Sequence, residues 1–221
     1  MKAVNPKQRG ILLASGSPRR RQLVCGIGFE PVIRVSSIPE QIGPGESPTA
    51  YARRLAAEKA RHVASKLEGD RRLPGWILSA DTIVVHDDEV LEKPKDEDDA
   101  RSMLRRLSGE RHEVITAFCW LWRAPKGSGE KRVEEVVDVS SSVWLRELSD
   151  EMIDRYVATG EPMDKAGSYG IQDVGGVLVR RNEGSYFCIV GLPVCEVVET
   201  LQNLGGLEGY PFVDDEGGRG E

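Results

Sequence analysis

The clearest candidate for chemistry in this sequence is an aspartate, Asp81, inside an otherwise apolar run. The run Trp76–Val85 has the length and the β-branched composition of a buried strand. An ionised carboxylate in such a strand costs several kcal/mol unless it is paired with a cation or binds a metal ion. Because no Lys or Arg lies within two residues of Asp81, we predict a catalytic or metal-binding role. A purely structural, hydrogen-bonding aspartate is the alternative.

A second candidate is an anion site at the start of a helix. Residues 15–21 read Ser-Gly-Ser-Pro-Arg-Arg-Arg and follow the short apolar segment Ile11–Ala14. Ser17 suits the N-cap and Pro18 the first helical position, so free N–H groups and the helix dipole would face a bound phosphate. Three consecutive arginines cannot face one ligand, and we expect at most two to touch it. An N-capped surface helix with solvated arginines is the alternative.

Two lysines and a glycine-rich segment are the remaining candidates for ligand binding. Lys59 falls on the apolar stripe of a predicted helix, where a lysine either extends to solvent or meets an anion. Lys93 precedes Pro94 at a strand end and, taken alone, is a surface lysine. Glycines in 161–172 would let the backbone approach a ligand, and Gln172 can donate to and accept from a nucleotide base. A structural connector is the alternative for this segment.

Cysteine and histidine chemistry has little support. The four cysteines lie in apolar surroundings without a C-x-x-C pair, so we expect reduced, buried thiols: Cys25, Cys119, Cys188 and Cys195. The three histidines lack the spacing of metal ligands. The run His86-Asp87-Asp88-Glu89 is better explained by a polar turn than by a metal site.

Short strands and helices must position these residues. Strands are predicted over 11–14, 29–35, 76–85, a short segment ending near 93, 114–122 and 132–145, and helices over 18–24, 47–67, 96–107, 149–158 and 192–204. Segments 177–181 and 185–190 are predicted to form a hairpin through Asn182-Glu183-Gly184. Strands and helices alternate early and hairpins dominate late, which predicts a mixed α/β fold with a central sheet flanked by helices.

Composition limits the class of protein and its partners. A chain of 221 residues, 39% hydrophobic and 30% charged, suits one globular domain or two small lobes that share a core, and is too apolar for a disordered protein. No apolar run approaches the roughly 20 residues that cross a bilayer, so no membrane partner is expected. A net charge of −6 argues against a nucleic-acid polymer as partner. The basic first ten residues lack a secretory apolar region, and we expect a cytoplasmic protein.

Together these segments resemble the Maf family of nucleoside triphosphate pyrophosphatases. The matching segments stand in family order over most of the chain: Leu13–Arg20, Arg54–Ala60, Ala80–Val84, Lys93-Pro94, Leu107–Gly109, His112–Val114 and Gly160–Gln172. The resemblance implies an elongated sheet with two lobes around a cleft (Maf/ITPase-like), formed by one domain over 1–206, with a flexible tail over 207–221. It also implies hydrolysis between the α and β phosphates to a nucleoside monophosphate and pyrophosphate, a nucleotide-pool house-cleaning activity. A divalent cation, Mg²⁺ or Mn²⁺, and a homodimer are implied as well.

The resemblance also assigns roles position by position. Asp81 matches the general base that activates water, and Glu40 would hold the metal ion together with Asp81. Arg19, Thr82 and Gln172 match positions linked to substrate choice, and Lys59 and Lys93 match charged cleft residues. With the anion site at the helix start, the predicted substrate-binding residues are Ser15, Ser17, Arg19, Arg20, Lys59, Thr82, Lys93 and Gln172. The sequence Gly-Ser-Tyr-Gly-Ile-Gln over 167–172 is similar to the branch that acts on dTTP and UTP.

Two departures from the family pattern bear on the site. Pro39 stands before Glu40 where an acidic residue is usual, which implies one metal ligand fewer. Asp173 follows Gln172 where a glycine is usual, and it adds negative charge beside the expected base pocket. The alternatives are a pyrophosphatase for 7-methyl-GTP or modified nucleotides, and a nucleotide-binding regulator of septum formation without turnover.

Overall fold

One mixed sheet organises the part of the chain that the computed structural model describes, residues 10–67, 72–124 and 132–207. Its strands are β1 (Gly10–Leu13), β2 (Glu30–Ile33), β3 (Trp76–His86), β4 (Glu89–Leu91), β5 (Arg111–Trp122), β6 (Val133–Leu145) and β7 (Val179–Glu183). Their order is β2-β1-β3-β5-β6-β7, and β4 pairs with β3. Among these strands the β1–β2 and β1–β3 pairs are parallel and the other pairs are antiparallel. The mixed α/β prediction is confirmed.

Helices cover both faces of this sheet. They are α1 (Pro18–Gly26), α2 (Pro48–Lys66), α3 (Glu97–Leu107), α4 (Asp150–Val157), α5 (Tyr186–Val190) and α6 (Val194–Asn203). Three short 3₁₀ turns lie between α4 and β7: Glu161–Asp164, Ala166–Ser168 and Val174–Leu178. Side-chain oxygens at the N-caps of α1 to α5 accept a backbone N–H, and such a cap stabilises a helix by about 1 kcal/mol.

Apolar side chains fix α2 against one face and α1 with α6 against the other. Tyr51, Leu55 and Val63 of α2 pack with residues of β1, β3 and β5. Val24 and Val197 join a second cluster on the opposite face. Burial of each such aliphatic side chain stabilises the fold by about 1.5–3 kcal/mol, so these contacts hold the helices against the sheet. The position of α2 places its one buried lysine over the centre of β3.

One edge of β3 has a stretch that lies between the residues paired with β1 and those paired with β4, and the candidate site lies there. β1 pairs with β3 only at Ile77 and Leu78, and β4 pairs with it only from Val84 onward. Meanwhile β5 pairs with β3 along nearly its whole length on the other side. Among the strands of the described residues, residues 80–83 therefore have a neighbour on one side only, and helices and loops line the opposite edge.

The predicted hairpin over 177–190 is wrong. β7 pairs with β6, and Ser185 caps the short helix α5 instead of beginning a strand. The sequence Tyr-Phe-Cys-Ile-Val has strand-like composition, but its environment decides the outcome. The Cys188 backbone carbonyl accepts a hydrogen bond from Thr116 Oγ1 at 2.7 Å, and its thiol donates to Val139 O at 2.9 Å. Tertiary contacts with β5 and β6 thus override local propensity.

The smaller predictions have mixed outcomes. All four cysteines are free, but Cys25 and Cys195 are exposed, so the expectation of burial is wrong for these two. Asp87 and Asp88 form the tight β3–β4 turn with φ of 51° and 62°, which confirms the polar turn. None of the helices within the described ranges has the length and apolar character needed to cross a bilayer. The predicted tail lies beyond residue 207, outside the described residues, and the domain bounds stay a prediction.

Candidate active site

A cleft of ≈ 530 Å³ lies at the gap in the sheet edge. The start of α1, the middle of β3, the α2 face and the turns after α4 form its walls. It is lined by every residue that the sequence singled out for binding or catalysis: Ser15, Ser17, Arg19, Arg20, Glu40, Lys59, Asp81, Thr82, Lys93 and Gln172. The sequence separation of these residues is large, so the fold brings them together.

The helix α1 begins with the cap and first residue that the sequence predicts. The Ser17 hydroxyl accepts the Arg20 N–H at 3.4 Å, and Pro18 is the first helical residue. The first backbone N–H groups of a helix have no intrahelical acceptor, so they are available to a phosphate. Arg19 and Arg20 line the cleft, whereas Arg21 is exposed and does not line it.

Arg20 is held rigidly at the back of the cleft. Its guanidinium donates to Thr82 Oγ1 at 2.9 Å and to the Gly191 carbonyl at 2.8 Å. Gly191 adopts φ 119°, a conformation that suits glycine and turns its carbonyl toward Arg20. Burial lowers the pKa of Arg20, and the charge of Asp81 opposes that shift. Arg20 is therefore a fixed cation with defined donors, not a solvated surface arginine.

Arg19 instead spans the cleft. Its Nη1 lies 3.1 Å from Asp164 Oδ2, in the 3₁₀ turn on the opposite wall. Asp164 also accepts from Lys165 Nζ at 2.9 Å. The exposed Arg19–Asp164 pair is of the kind that contributes about 0–1 kcal/mol, so a phosphate can replace Asp164 at low cost.

The cation that Asp81 lacks in its local sequence comes from α2. Lys59 Nζ lies 2.6 Å from Asp81 Oδ1 and 2.7 Å from Glu40 Oε1. Lys59 and Asp81 are 8% and 6% exposed, so the pair is largely withdrawn from water. Lys59 meets anions instead of extending to solvent, which decides between the two outcomes expected for a lysine on this stripe.

The second carboxylate of this group, Glu40, is half-exposed. Burial raises the pKa of Glu40, but the hydrogen bond from Lys59 and the charges of Lys59, Lys93 and Arg20 lower it more, and the net pKa is below its usual value. Glu40 is therefore an anion at neutral pH, facing the same ammonium as Asp81. Lys93 is exposed at the cleft and adds a positive charge near these carboxylates.

The donor set fits a divalent cation shared with a substrate. Within the described parts of the chain, no three His, Cys, Asp or Glu side chains cluster closely enough to hold a metal ion by themselves. Mg²⁺ commonly uses one or two carboxylates together with substrate phosphates, and Asp81 and Glu40 supply two. Lys59 engages one oxygen of each carboxylate, and among described residues Asp81 Oδ2 has no hydrogen-bond partner.

Several cleft residues were not predicted from the sequence. Tyr51 donates to Glu92 Oε1 at 2.9 Å, and both line the cleft. Tyr51 lies two turns before Lys59 on the same helical stripe, a spacing that could have suggested it. Asp164 and Lys165 lie inside the glycine-rich segment, but nothing in their local sequence indicates a partner on α1.

His112 lies buried behind the glycine-rich segment. Its Nε2 is 2.6 Å from the Tyr169 hydroxyl oxygen, and the two rings meet edge to face. Burial, reinforced by electrostatic interactions with His86 and Arg111, lowers the pKa of His112 to about 3. The imidazole is therefore neutral throughout the physiological range.

This lowered pKa predicts a loss of stability in acid. The unfolded chain binds a proton near pH 6.5 and the folded chain does not, so the contribution is complete above pH 6.5 and declines toward pH 3. By pH 4 we expect the free energy of unfolding to fall by about 3 kcal/mol through His112. Denaturant unfolding at pH 7 to 4 measures it, and the His112→Gln variant should show a flatter pH dependence. If the wild type and the His112→Gln variant lose stability equally as the pH falls, His112 is not the source of the loss.

The fold and the site define a mixed α/β protein with a cationic, carboxylate-bearing cleft suited to a polyphosphate. Residues 10–204 match the profile of the family described as Maf-like protein, and the chain belongs to that family.

Named relatives are similar in sequence to this chain over most of their own length. The dTTP/UTP pyrophosphatase of Hahella chejuensis is 47% identical over 201 residues, covering 91% of this chain and 95% of that protein. The protein of the same name from Geobacter metallireducens is 46% identical, with 91% and 100% coverage. The Staphylococcus aureus Ham1 protein aligns with 88% of this chain and 96% of its own at 11% identity and a TM-score of 0.41.

Proposed function

We propose that this protein hydrolyses nucleoside triphosphates, dTTP and UTP above others, between the α and β phosphates. The products are the nucleoside monophosphate and pyrophosphate. The observation that carries the proposal is the Asp81–Lys59–Glu40 group beside the arginine-bearing start of α1 in one cleft. Relatives at about 45% identity that are named dTTP/UTP pyrophosphatases support the same activity and the same bases.

Asp81 acts as the general base in this proposal. Its Oδ1 is fixed by Lys59, which leaves Oδ2 to accept a proton from the attacking water. Positioned general-base help is typically worth about 10²–10⁴-fold in rate. The strand β3 is rigidly paired with β5 on one side, so the carboxylate is held in one place while water and substrate approach from the open edge.

The triphosphate is neutralised from several directions. Arg19, the hydroxyls of Ser15 and Ser17, and the first N–H groups of α1 bind phosphate oxygens at one wall. Lys59 and Lys93 line the same cleft and add positive charge. Charge spread over phosphate oxygens in the transition state is stabilised by such fixed donors. Arg20 contributes positive charge and positions Thr82 through its 2.9 Å hydrogen bond.

A divalent cation, Mg²⁺ or Mn²⁺, is part of the proposal. Glu40 and Asp81 would hold it together with phosphate oxygens, in keeping with the two carboxylates at the site. When bound, it supplies Lewis-acid neutralisation of charge on the phosphates. Pro39 stands where the family usually has a further acid, so this chain offers two ligands and relies more on the substrate.

Base selection is assigned to Gln172. The side chain is exposed at the cleft, and its amide matches the alternating donors and acceptors of a pyrimidine edge. Replacing Gln172 by Ala should lower the ratio of kcat/KM for dTTP over dGTP by about tenfold, because one good amide–base contact is worth about 1–3 kcal/mol. The overall rate should change less. Gln202→Ala on α6 is the matched control, and an unaltered ratio for Gln172→Ala would count against base recognition by this amide.

The test of the proposed function is pyrophosphate release from a panel of nucleotides. We expect dTTP and UTP to be hydrolysed fastest, with CTP, GTP, ATP and 7-methyl-GTP slower. Fastest turnover of 7-methyl-GTP would assign the alternative substrate. Binding of dTTP without any pyrophosphate release would favour a non-catalytic regulator.

We further propose that the protein works as a cytoplasmic homodimer, as the resemblance to its family implies. Light scattering on the purified protein measures the mass directly. A mass of one chain at assay concentration would remove the dimer from the proposal and leave the chemistry unchanged.

A further inference from the structure

The segment that carries Gln172 is anchored by two buried tyrosines, Tyr156 and Tyr169, which come before it in the sequence. Tyr169 meets His112 of β5 at 2.6 Å, and the two side chains belong to residues only 5% and 2% exposed. The Tyr156 hydroxyl accepts the Gly170 N–H at 3.2 Å and donates to Glu161 Oε1 at 2.9 Å. Gln172 thus lies just beyond two adjacent anchored positions.

The Glu161 carboxylate closes the far end of this segment. It accepts the backbone N–H groups of Val174 and Gly175, both at 3.0 Å. A side chain at position 175 would collide with the Tyr156 hydroxyl and with the Gly170 carbonyl. This backbone position therefore requires glycine. Residues 170–175 therefore form a closed loop with fixed ends.

The backbone just before Tyr169, at residues 167 and 168, is equally constrained. Gly167 has φ 66°, and a Cβ there would come within 2.9 Å of Val84 on β3. Its N–H donates to the Glu92 carbonyl at 3.1 Å. The fully buried Ser168 follows with φ 61°, a conformation that a non-glycine residue rarely adopts. A loop this constrained is built to hold one conformation.

We propose that His112 and Tyr169 are a positioning pair that fixes this loop so that Gln172 meets the nucleotide base; this rests on the proposed function. Neither ring nitrogen needs to touch the substrate. His112 Nδ1 is buried and has no hydrogen-bond partner among the described residues, so the link to Tyr169 is the one specific polar contact of the imidazole there. A loop ordered before binding spares the substrate the entropy of ordering it.

Tyr169→Phe isolates this link, because it removes only the hydroxyl. Binding of the non-hydrolysable α,β-imido analogues of dTTP and dGTP is measured by calorimetry. We expect the preference for the dTTP analogue to fall by about three- to tenfold, through weaker binding of that analogue. The matched control is Tyr186→Phe, since Tyr186 is 41% exposed on α5 and outside the cleft, and its preference should equal that of the wild type.

A double-mutant cycle with Gln172→Ala distinguishes positioning from general loosening. If Tyr169 acts through Gln172, Tyr169→Phe should have no further effect on the base preference in the Gln172→Ala background. An equal effect in both backgrounds, or a lower melting temperature with the preference unchanged, would overturn the proposal.

His112 offers a second pair of variants should Tyr169→Phe fail to fold. His112→Gln keeps an amide near the Nε2 position and should retain most of the preference, whereas His112→Leu should lose it. Equal preference in both variants would again overturn the proposal.

The binding readout separates this inference from the proposed function: a wild type that prefers the dTTP analogue but releases no pyrophosphate contradicts only the function. A wild type that binds both analogues equally contradicts the positioning role.

Discussion

Replacing Asp81 by Asn should lower kcat for dTTP by about 10²–10⁴-fold, the usual contribution of a positioned general base. The amide has nearly the same shape, but it cannot take the proton of the attacking water. Lys59 keeps its contact with Glu40 at 2.7 Å, so the cleft retains its geometry and its cation. KM for dTTP should therefore change by no more than a few-fold.

Steady-state kinetics with a pyrophosphate-coupled assay measures this effect. Asp87→Asn is the matched control, because the Asp87 side chain is 85% exposed in the β3–β4 turn and lies outside the cleft. An Asp81→Asn enzyme with a kcat close to that of the wild type would remove Asp81 from its role as base.

Replacing Lys59 by Met should reduce activity and stability together. The change removes the cation that faces the phosphates and leaves Asp81 and Glu40 directed at each other, with only the charges of Arg20 and Lys93 to offset them. We expect kcat/KM for dTTP to fall by about 10²-fold or more, as for loss of one fixed transition-state donor. The free energy of unfolding should fall by about 2 kcal/mol, less than for a fully buried pair because Glu40 is half-exposed.

Two further variants show whether this loss has the stated cause. Lys66→Met, on the exposed end of the same helix, should change stability by no more than about 0.5 kcal/mol and leave kinetics unchanged. The double variant Lys59→Met with Asp81→Asn should recover much of the stability, because a neutral amide needs no cation, but none of the activity. If the double variant is as unstable as the single variant Lys59→Met, the ion-pair account is contradicted.

The sequence predicts this site well where its residues lie on regular elements. Asp81 stands out because it interrupts an apolar strand, and Lys59 stands out because it interrupts an apolar helical stripe. Each pattern marks a buried charge that needs a partner. That the two are partners, 22 residues apart in sequence, follows only from the packing of α2 across β3.

Contacts between loops and helices are where prediction from the sequence fails. The ion pair of Arg19 with Asp164 joins residues 145 positions apart, and no periodicity relates them. The error at α5 has a similar origin, since a strand-like sequence becomes a helix where Cys188 is buried against β5 and β6. The ten positions that the sequence analysis singled out all line one cleft, but the closed loop around Gln172 depends on tertiary hydrogen bonds that the sequence does not indicate.

The most direct measurement is the identity of the products formed from dTTP with Mg²⁺, followed by ³¹P NMR. A water activated by the acid on the third strand should break the innermost anhydride, so dTMP and pyrophosphate should appear in equal amounts. Formation of dTDP with inorganic phosphate, or no products from any triphosphate by an intact, folded protein, would contradict the account.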